Sequence, residues 1–510
     1  MVVVLSMVGG PAASQPKAGS GSADPAPAAD DDDDEVGGGK GSAVVAPSNP
    51  AVRAGWLKER FATALASKPQ LARAKVAYYA VDLSTGAVLV AHEADKGLNL
   101  ASNAKLLTSV AALKGLGAGF RWRTSVHATA LPDIDGKVTG NLYIKGRGDP
   151  VLSLDGLRQL AHDVAARGVS SIEGNLVVDG SYFDNVTEPP HFNEQPKEVA
   201  AFRAPVASFG VNRSSYTVTV LGQPEGKTRV TVEPPIDYLK LTKDEVTSVT
   251  EGRTRLRLEA KPKAGSLGLE LTGTIRQGAG SWDLRRRVDD PARFAAEVFL
   301  RALADNGVKL GRRTVSYGVV PPAAKLLAAH DSATLADVLR TMNKYSDNYV
   351  AESVMKTLGA ETKAAPNATW ADGVAAIKGR LAELGVTGFR SENGSGLFAS
   401  TEVSAKQLVS LLVAAHKDYR IGPDLVASLP TGGYDGTLAR RFKGKPAMGR
   451  VRAKTGTLDR VKSLAGYAGV DSGHVIAFAI LVNEVPAGQR GTVNTVADEM
   501  VEALVAYLAN

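Results

Sequence analysis

Ser102 and Lys105 are the first residues whose types and spacing could do chemistry together. They stand in Ala101-Ser102-Asn103-Ala104-Lys105, ahead of the apolar run Leu106–Leu113. That run is apolar on nearly every face, which predicts a helix buried in the middle of a domain. Three residues apart, the two side chains leave one face of its first turn. A serine at a helix start lies near unpaired backbone N–H groups and the positive end of the helix dipole. A lysine drawn into a packed interior loses hydration, which favours its neutral form. A neutral amine within reach of a hydroxyl can take its proton and make it a nucleophile. The same spacing also describes a capping serine followed by a lysine that snorkels to the surface. The pair therefore gains meaning only with partners.

Two later stretches could supply them. Lys344-Tyr345-Ser346-Asp347-Asn348 reads as a loop between two helices, with Ser346 and Asn348 spaced to face one cleft. Helix capping is the plainer use of these residue types. Lys454-Thr455-Gly456-Thr457 reads as part of a strand that opens an antiparallel meander. There the lysine is a fixed positive charge, the threonine hydroxyls are donors, and glycine lets a substrate backbone lie close. A solvated edge strand with a glycine bulge accounts for those four residues as well.

Composition removes several rival chemistries. The 510 residues include no cysteine, so thiolate nucleophiles, disulfides and cysteine metal sites are out. The seven histidines form no H-x-x-x-H pair, which argues against a zinc hydrolase. No G-x-S-x-G elbow is present for a Ser-His-Asp hydrolase. A net charge of +7 permits an anionic polymer as partner. The basic residues are scattered and aromatics are 6%, so nucleic acid is not expected.

The elements that must position these residues follow from periodicity and punctuation. Residues 1–50 read as a signal-like apolar stretch, Val2–Val8, followed by a Gly/Ser/Ala/Pro-rich and acidic linker. The stretch is too short to span a bilayer. Gly37–Ser42 lacks the spacing of a phosphate-binding loop. Leu57, Phe61 and Leu65 predict a first helix, and residues 76–82 and 87–93 a hairpin turned at Ser84-Thr85-Gly86. From about residue 123 to 287 short β-rich runs recur, interrupted by one helical stretch over 154–166. That block reads as one or two mainly-β modules inserted into a host domain made of 51–122 and 288–510. Gly146–Pro150 within it reads as a tight turn. Helices return over 292–304, over 334–343 with a start at Asp331-Ser332, and over 348–358 with a stop at Gly359. Residues 463–470 and 474–482 are strands, and an amphipathic helix over 493–508 is placed to cover their sheet.

Serine-x-x-lysine on a helix, serine-x-asparagine on a loop and lysine-threonine-glycine on a strand, in that order, form the set of the penicillin-binding proteins and serine β-lactamases. The long gap between Lys105 and Ser346, filled by the β-rich block, resembles the class C low-molecular-mass penicillin-binding proteins. These are D-alanyl-D-alanine carboxypeptidases/endopeptidases of peptidase family S13. Gly148–Ser153, His330-Asp331-Ser332, Met342–Asn348, Gly436-Thr437-Leu438 and Leu464–Tyr467 look like that family too. Asn393 stands where the family usually carries aspartate before Gly-Ser-Gly, with only a local turn expected to change.

The resemblance implies an α+β penicillin-binding-protein/β-lactamase-like transpeptidase domain. In it an antiparallel sheet is flanked by helices and a helical subdomain, and the inserted block holds two nested β modules, the inner one about 213–275. It implies that Ser102 attacks the carbonyl between two terminal D-alanines, with neutral Lys105 as base. Ser346 would relay a proton to the leaving amine while Asn348 holds the substrate amide. Lys454, Thr455 and Thr457 would bind the terminal carboxylate beside Gly456, and the N–H groups of Ser102 and Thr457 would form the oxyanion hole. No metal or cofactor is implied. The implied partners are peptidoglycan peptides ending in D-Ala-D-Ala and β-lactams as covalent inhibitors. The implied location is exported, on the periplasmic or cell-wall side, with at most peripheral membrane association. Two alternatives stand beside this reading. A β-lactamase or esterase on the same scaffold needs a dedicated deacylation base, for which no motif is evident. A non-catalytic wall-binding protein would have no need to keep all three motifs.

Overall fold

The computed structural model describes residues 44–509 except 196–197, 225, 264 and 313. The signal-like stretch and most of the linker, residues 1–43, lie outside the described residues. Helix α1 (Pro50–Ala66) starts on Asn49, whose side chain accepts from Ala51 N, with proline in the first turn. The strands Lys75–Asp82 and Val88–His92 form the expected hairpin, and Asp82 Oδ1 accepts the N–H groups of Ser84 and Thr85 at its turn. A 3₁₀ turn, Ala101–Asn103, then feeds α2 (Ala104–Leu116). Every residue of α2 from Ala104 to Leu113 is buried, as its all-round apolarity predicts.

The chain closes the sheet that it opens. Val451–Leu458, Val461–Gly469 and Val475–Asn483 form the expected antiparallel meander. Val475–Asn483 pairs antiparallel with Lys75–Asp82, giving one five-stranded sheet with Val451–Leu458 at its edge. Everything between residues 93 and 450 is therefore threaded between two halves of one sheet.

The inserted block has its own core, and that core extends further than the sequence boundary at 287. It runs from Val126 to Ala328 and includes α3 (Leu154–Ala166) and α4 (Pro291–Asp305). A five-stranded sheet joins Val315–Tyr317, Leu176–Asp179, Leu142–Lys145, Arg123–Ala128 and Lys325–Asp331. Because Lys325–Asp331 pairs antiparallel with Arg123–Ala128, the block closes at Asp331. The return of helical periodicity at 291 marks a helix of the insert, not a return to the host domain. Within the block, two three-stranded sheets occupy Ser215–Arg287, a span that runs past the 213–275 expected for an inner module.

Helices α5 (Leu335–Lys344), α6 (Asn348–Lys363), α7 (Trp370–Ala382), α8 (Ala405–Lys417) and α9 (Gly422–Ser428) build the other wall of the cleft with α2. Thr334 caps α5 by accepting from Asp337 N, so the start expected at Asp331-Ser332 moves; Asp331 ends a strand instead. Gly359 does not end α6. A Cβ there would lie 2.6 Å from Gly373 N, so the two glycines let α6 and α7 cross in backbone contact. Helix α10 (Arg490–Leu508) shares a core with α1 on the outer face of the first sheet, as expected of a covering helix.

Candidate active site

The edge strand Val451–Leu458, the turn before α2 and the loop between α5 and α6 meet at one place. Ala101 (φ +47°) precedes Ser102, and Ser346 itself has φ +57°. Both are non-glycine residues in the left-handed region, a conformation that concentrates at functional sites. Gly456 lies flat against the serine turn: a Cβ there would sit 2.6 Å from Leu100 O and 3.1 Å from Ser102 N. Ser463 Oγ, on the neighbouring strand, donates to Leu100 O at 2.7 Å and ties the same turn to the sheet.

Lys105 is fully buried and is the hub of the cluster. Its Nζ donates to Ser102 Oγ at 3.0 Å, Asn348 Oδ1 at 2.6 Å and Ser395 O at 3.0 Å. Lys454, also fully buried, donates to Ser346 Oγ at 2.9 Å and to Thr455 O at 2.8 Å. Burial and the charge of Lys105 push the Lys454 ammonium well below the ordinary lysine range. An arriving carboxylate supplies the opposite charge that draws it back up. Thr455 Oγ1 donates to Thr437 Oγ1 at 2.8 Å, and Thr457 Oγ1 accepts from Lys462 Nζ at 3.1 Å. All eight residues singled out in the sequence thus stand on the three segments that converge here.

Several partners carry no motif of their own. Ser395 offers a carbonyl, and carbonyls are invisible in sequence. The Asn393–Gly396 turn that presents it is glycine-rich because a Cβ at Gly396 would fall 1.9 Å from Ala101 O. Asn393 holds the turn: its Oδ1 accepts from Gly396 N at 2.9 Å and its Nδ2 donates to Leu397 O at 2.9 Å. Buried Glu352 accepts from Gly394 N at 2.8 Å and Ser395 N at 2.9 Å. Burial raises its carboxyl above the usual range, against the pull of those donors and of Lys105. The inserted block also reaches the cleft, where Asn348 Nδ2 donates to Phe202 O at 3.1 Å.

A sheet edge that carries Lys454, facing a helical wall that carries Ser102, Lys105 and Ser346, has the layout of a penicillin-binding-protein-like serine acyl-transfer site. The family model of the D-Ala-D-Ala carboxypeptidase 3 (S13) family matches residues 57–507, and the chain belongs to that family of serine peptidases. The D-alanyl-D-alanine carboxypeptidase of Actinomadura sp. (strain R39) is 34% identical over 439 residues, 82% of this chain and 80% of that protein. The D-alanyl-D-alanine carboxypeptidase DacB of Haemophilus influenzae is 24% identical over 420 residues, 81% of this chain and 86% of that protein. The crystal structure of penicillin binding protein 4 (dacB) from H. influenzae shares the fold. Its TM-score is 0.72 over 85% of this chain and 97% of that one, at 22% identity. Among the described residues no helix is long and apolar enough to cross a membrane.

Proposed function

We propose that this peptidase cleaves the bond before a terminal D-alanine of peptidoglycan stem peptides through an acyl-enzyme on Ser102. The observation that carries the reading is Lys105 Nζ held at once 3.0 Å from Ser102 Oγ and 2.6 Å from Asn348 Oδ1 in a fully buried position. As a free amine, Lys105 keeps its two N–H groups on Asn348 Oδ1 and Ser395 O and turns its lone pair to Ser102, taking the hydroxyl proton while Oγ attacks the carbonyl. The oxyanion is received by the N–H groups of Ser102 and Thr457, an arrangement worth about 3–4 kcal/mol in other hydrolases. Ser346, bonded to Lys454, passes a proton to the leaving amine. Asn348 holds the peptide amide, while Lys454 and the hydroxyls of Thr455 and Thr457 take the terminal carboxylate. Water then hydrolyses the ester and frees the serine. β-Lactams, with a strained amide and a carboxylate in the same relation, acylate Ser102 and leave slowly.

Slow release also follows from Glu352. It is the buried carboxylate in the electrostatic field of Lys105, and both of its oxygens accept backbone N–H groups. That leaves it poorly placed to aim a water at the ester, which weighs against a β-lactamase. The substrate class places the protein on the outer side of the cytoplasmic membrane, exported to the periplasm or wall, with at most peripheral membrane association.

A fluorescent penicillin should label the purified protein covalently, and Ser102→Ala should abolish labelling while leaving the thermal unfolding transition in place. Labelling of the alanine variant, or none of the wild type, overturns the assignment. Separation of products from cross-linked muropeptides then distinguishes loss of terminal D-alanine from cutting of the cross-link.

A further inference from the structure

Behind the carboxylate subsite lies a further buried lysine that belongs to none of the three motifs. Lys462 stands directly opposite Thr457 in the register of the antiparallel pair Val451–Leu458 and Val461–Gly469. The residue is 5% exposed, and its Nζ donates to Thr457 Oγ1 at 3.1 Å. Its neighbour Ser463 is the residue that ties the serine turn to the sheet. Lys462 therefore sits one hydrogen bond behind a hydroxyl assigned to the ligand, on a strand fixed to the nucleophile.

An ammonium group donates and never accepts, whereas a threonine hydroxyl has one proton and two lone pairs. When Lys462 donates to Thr457 Oγ1, one lone pair is used and the hydroxyl proton is free to point elsewhere. In the cleft it meets the ligand. Hydrogen bonds to charged groups are worth roughly twice neutral ones, and polarisation along a donor chain strengthens the next bond. A cation close behind the hydroxyl also favours an anion in front of it.

We propose that Lys462 is a positioning residue of this subsite: it fixes the Thr457 hydroxyl as a donor and selects ligands that carry a free carboxylate next to the scissile amide. This rests on the Ser102 acylation reading above and adds to it a determinant outside the Lys-Thr-Gly segment.

The test compares two ligand pairs: benzylpenicillin with its methyl ester, and a D-alanyl-D-alanine peptide with its C-terminal amide. Acylation of Ser102 is measured for each with wild type, Lys462→Met and Lys462→Arg. Methionine keeps the apolar stem without the charge, and arginine restores the charge. We expect Lys462→Met to slow acylation by the carboxylate ligands about tenfold or more, with the ester and amide changed less than about threefold, and Lys462→Arg to recover most of the loss. An equal fall for charged and uncharged ligands marks a purely structural lysine and overturns the proposal, as does no change for either. Should Lys462→Met fail to fold, Lys462→Gln, polar but uncharged, takes its place on the same four ligands. Its loss must fall on the carboxylate ligands, and an equal loss on both kinds overturns the proposal. Failure of wild type to be acylated by any of the four ligands brings down the parent reading itself, and this one with it.

Discussion

Asp149 lies in the Gly146–Pro150 turn of the insert, buried, with Oδ1 accepting from Val151 N at 2.9 Å. Its Oδ2 finds no hydrogen-bond partner among the described residues, and burial pushes its carboxyl up to about 7. A raised carboxyl is held protonated by the folded state more tightly than by the unfolded chain, so its contribution to stability is present below the ordinary aspartate value. It is lost as pH rises toward 7. Asp149→Asn should therefore change little at pH 4 and stabilise the protein at pH 8, on the order of 1.4 kcal/mol for each tenfold difference in proton affinity between the folded and unfolded carboxyl. Denaturant titrations at the two pH values check this; equal effects at both would contradict it. Lys454 gives a second prediction at this scale. Because burial and Lys105 hold its ammonium down, acylation by a carboxylate ligand should fall on an alkaline limb that lies below the ordinary lysine range. A pH–rate profile with that limb at the ordinary value would contradict the burial argument. The side chains that converge on the cleft were legible from type and order, because a nucleophile, a base and a cation call for particular residues. The carbonyls of Ser395 and Phe202 were not, because any residue carries one.

Elements were legible where pattern alone decides them. Helix α3 occupies the span its periodicity predicts, and the meander of the catalytic sheet follows its turn residues. Misreadings occur where a distant neighbour decides. Gly359 looks like a stop because glycine is a poor helix former, by about 1 kcal/mol relative to alanine. Its actual use, backbone contact with Gly373, depends on a helix that the local sequence does not show. Helix α6 instead runs on to Lys363 and ends with Ala364 in the left-handed region at φ +52°. Gly359→Ala thus sets a propensity gain against a Cβ placed 2.6 Å from Gly373 N. Backbone yields less than a side chain, so the clash should win by about 1–3 kcal/mol. A lower denaturation midpoint with unchanged slope is the expected result; a stabilised variant would mean that the crossing is looser than its geometry.

At the scale of the whole molecule, the insert is in direct contact with the cleft segment Ser346–Asn348. The sequence shows where its texture begins, but its end was obscured because α4 reads like a host helix. Its route to the cleft was hidden too, because the contact is made by a loop. Asn212, Arg213 and Ser214 run through the left-handed region at φ +51°, +53° and +48°. That turn aims Arg213 at Asp347, with Nε 2.6 Å from Oδ2 and side chains only 12% and 5% exposed. Asp347 also caps α6 through Val350 N at 3.1 Å and stands between Ser346 and Asn348. The insert thus grips the middle residue of the Ser346–Asn348 segment while Phe202 O holds the Asn348 amide. Removing one member of a buried ion pair leaves the other charge uncompensated, a loss of about 3–5 kcal/mol, whereas removing both costs less. Arg213→Met should therefore destabilise strongly, and adding Asp347→Asn, which keeps the cap, should recover part of that loss. Below the unfolding transition, Arg213→Met should also slow Ser102 acylation, because the backbone carrying Ser346 and Asn348 loses its clamp. The double variant should be intermediate. Denaturation midpoints and acylation rates on the same three proteins measure the coupling. Full-speed acylation by a folded Arg213→Met protein would mean that the insert packs against the cleft without shaping it.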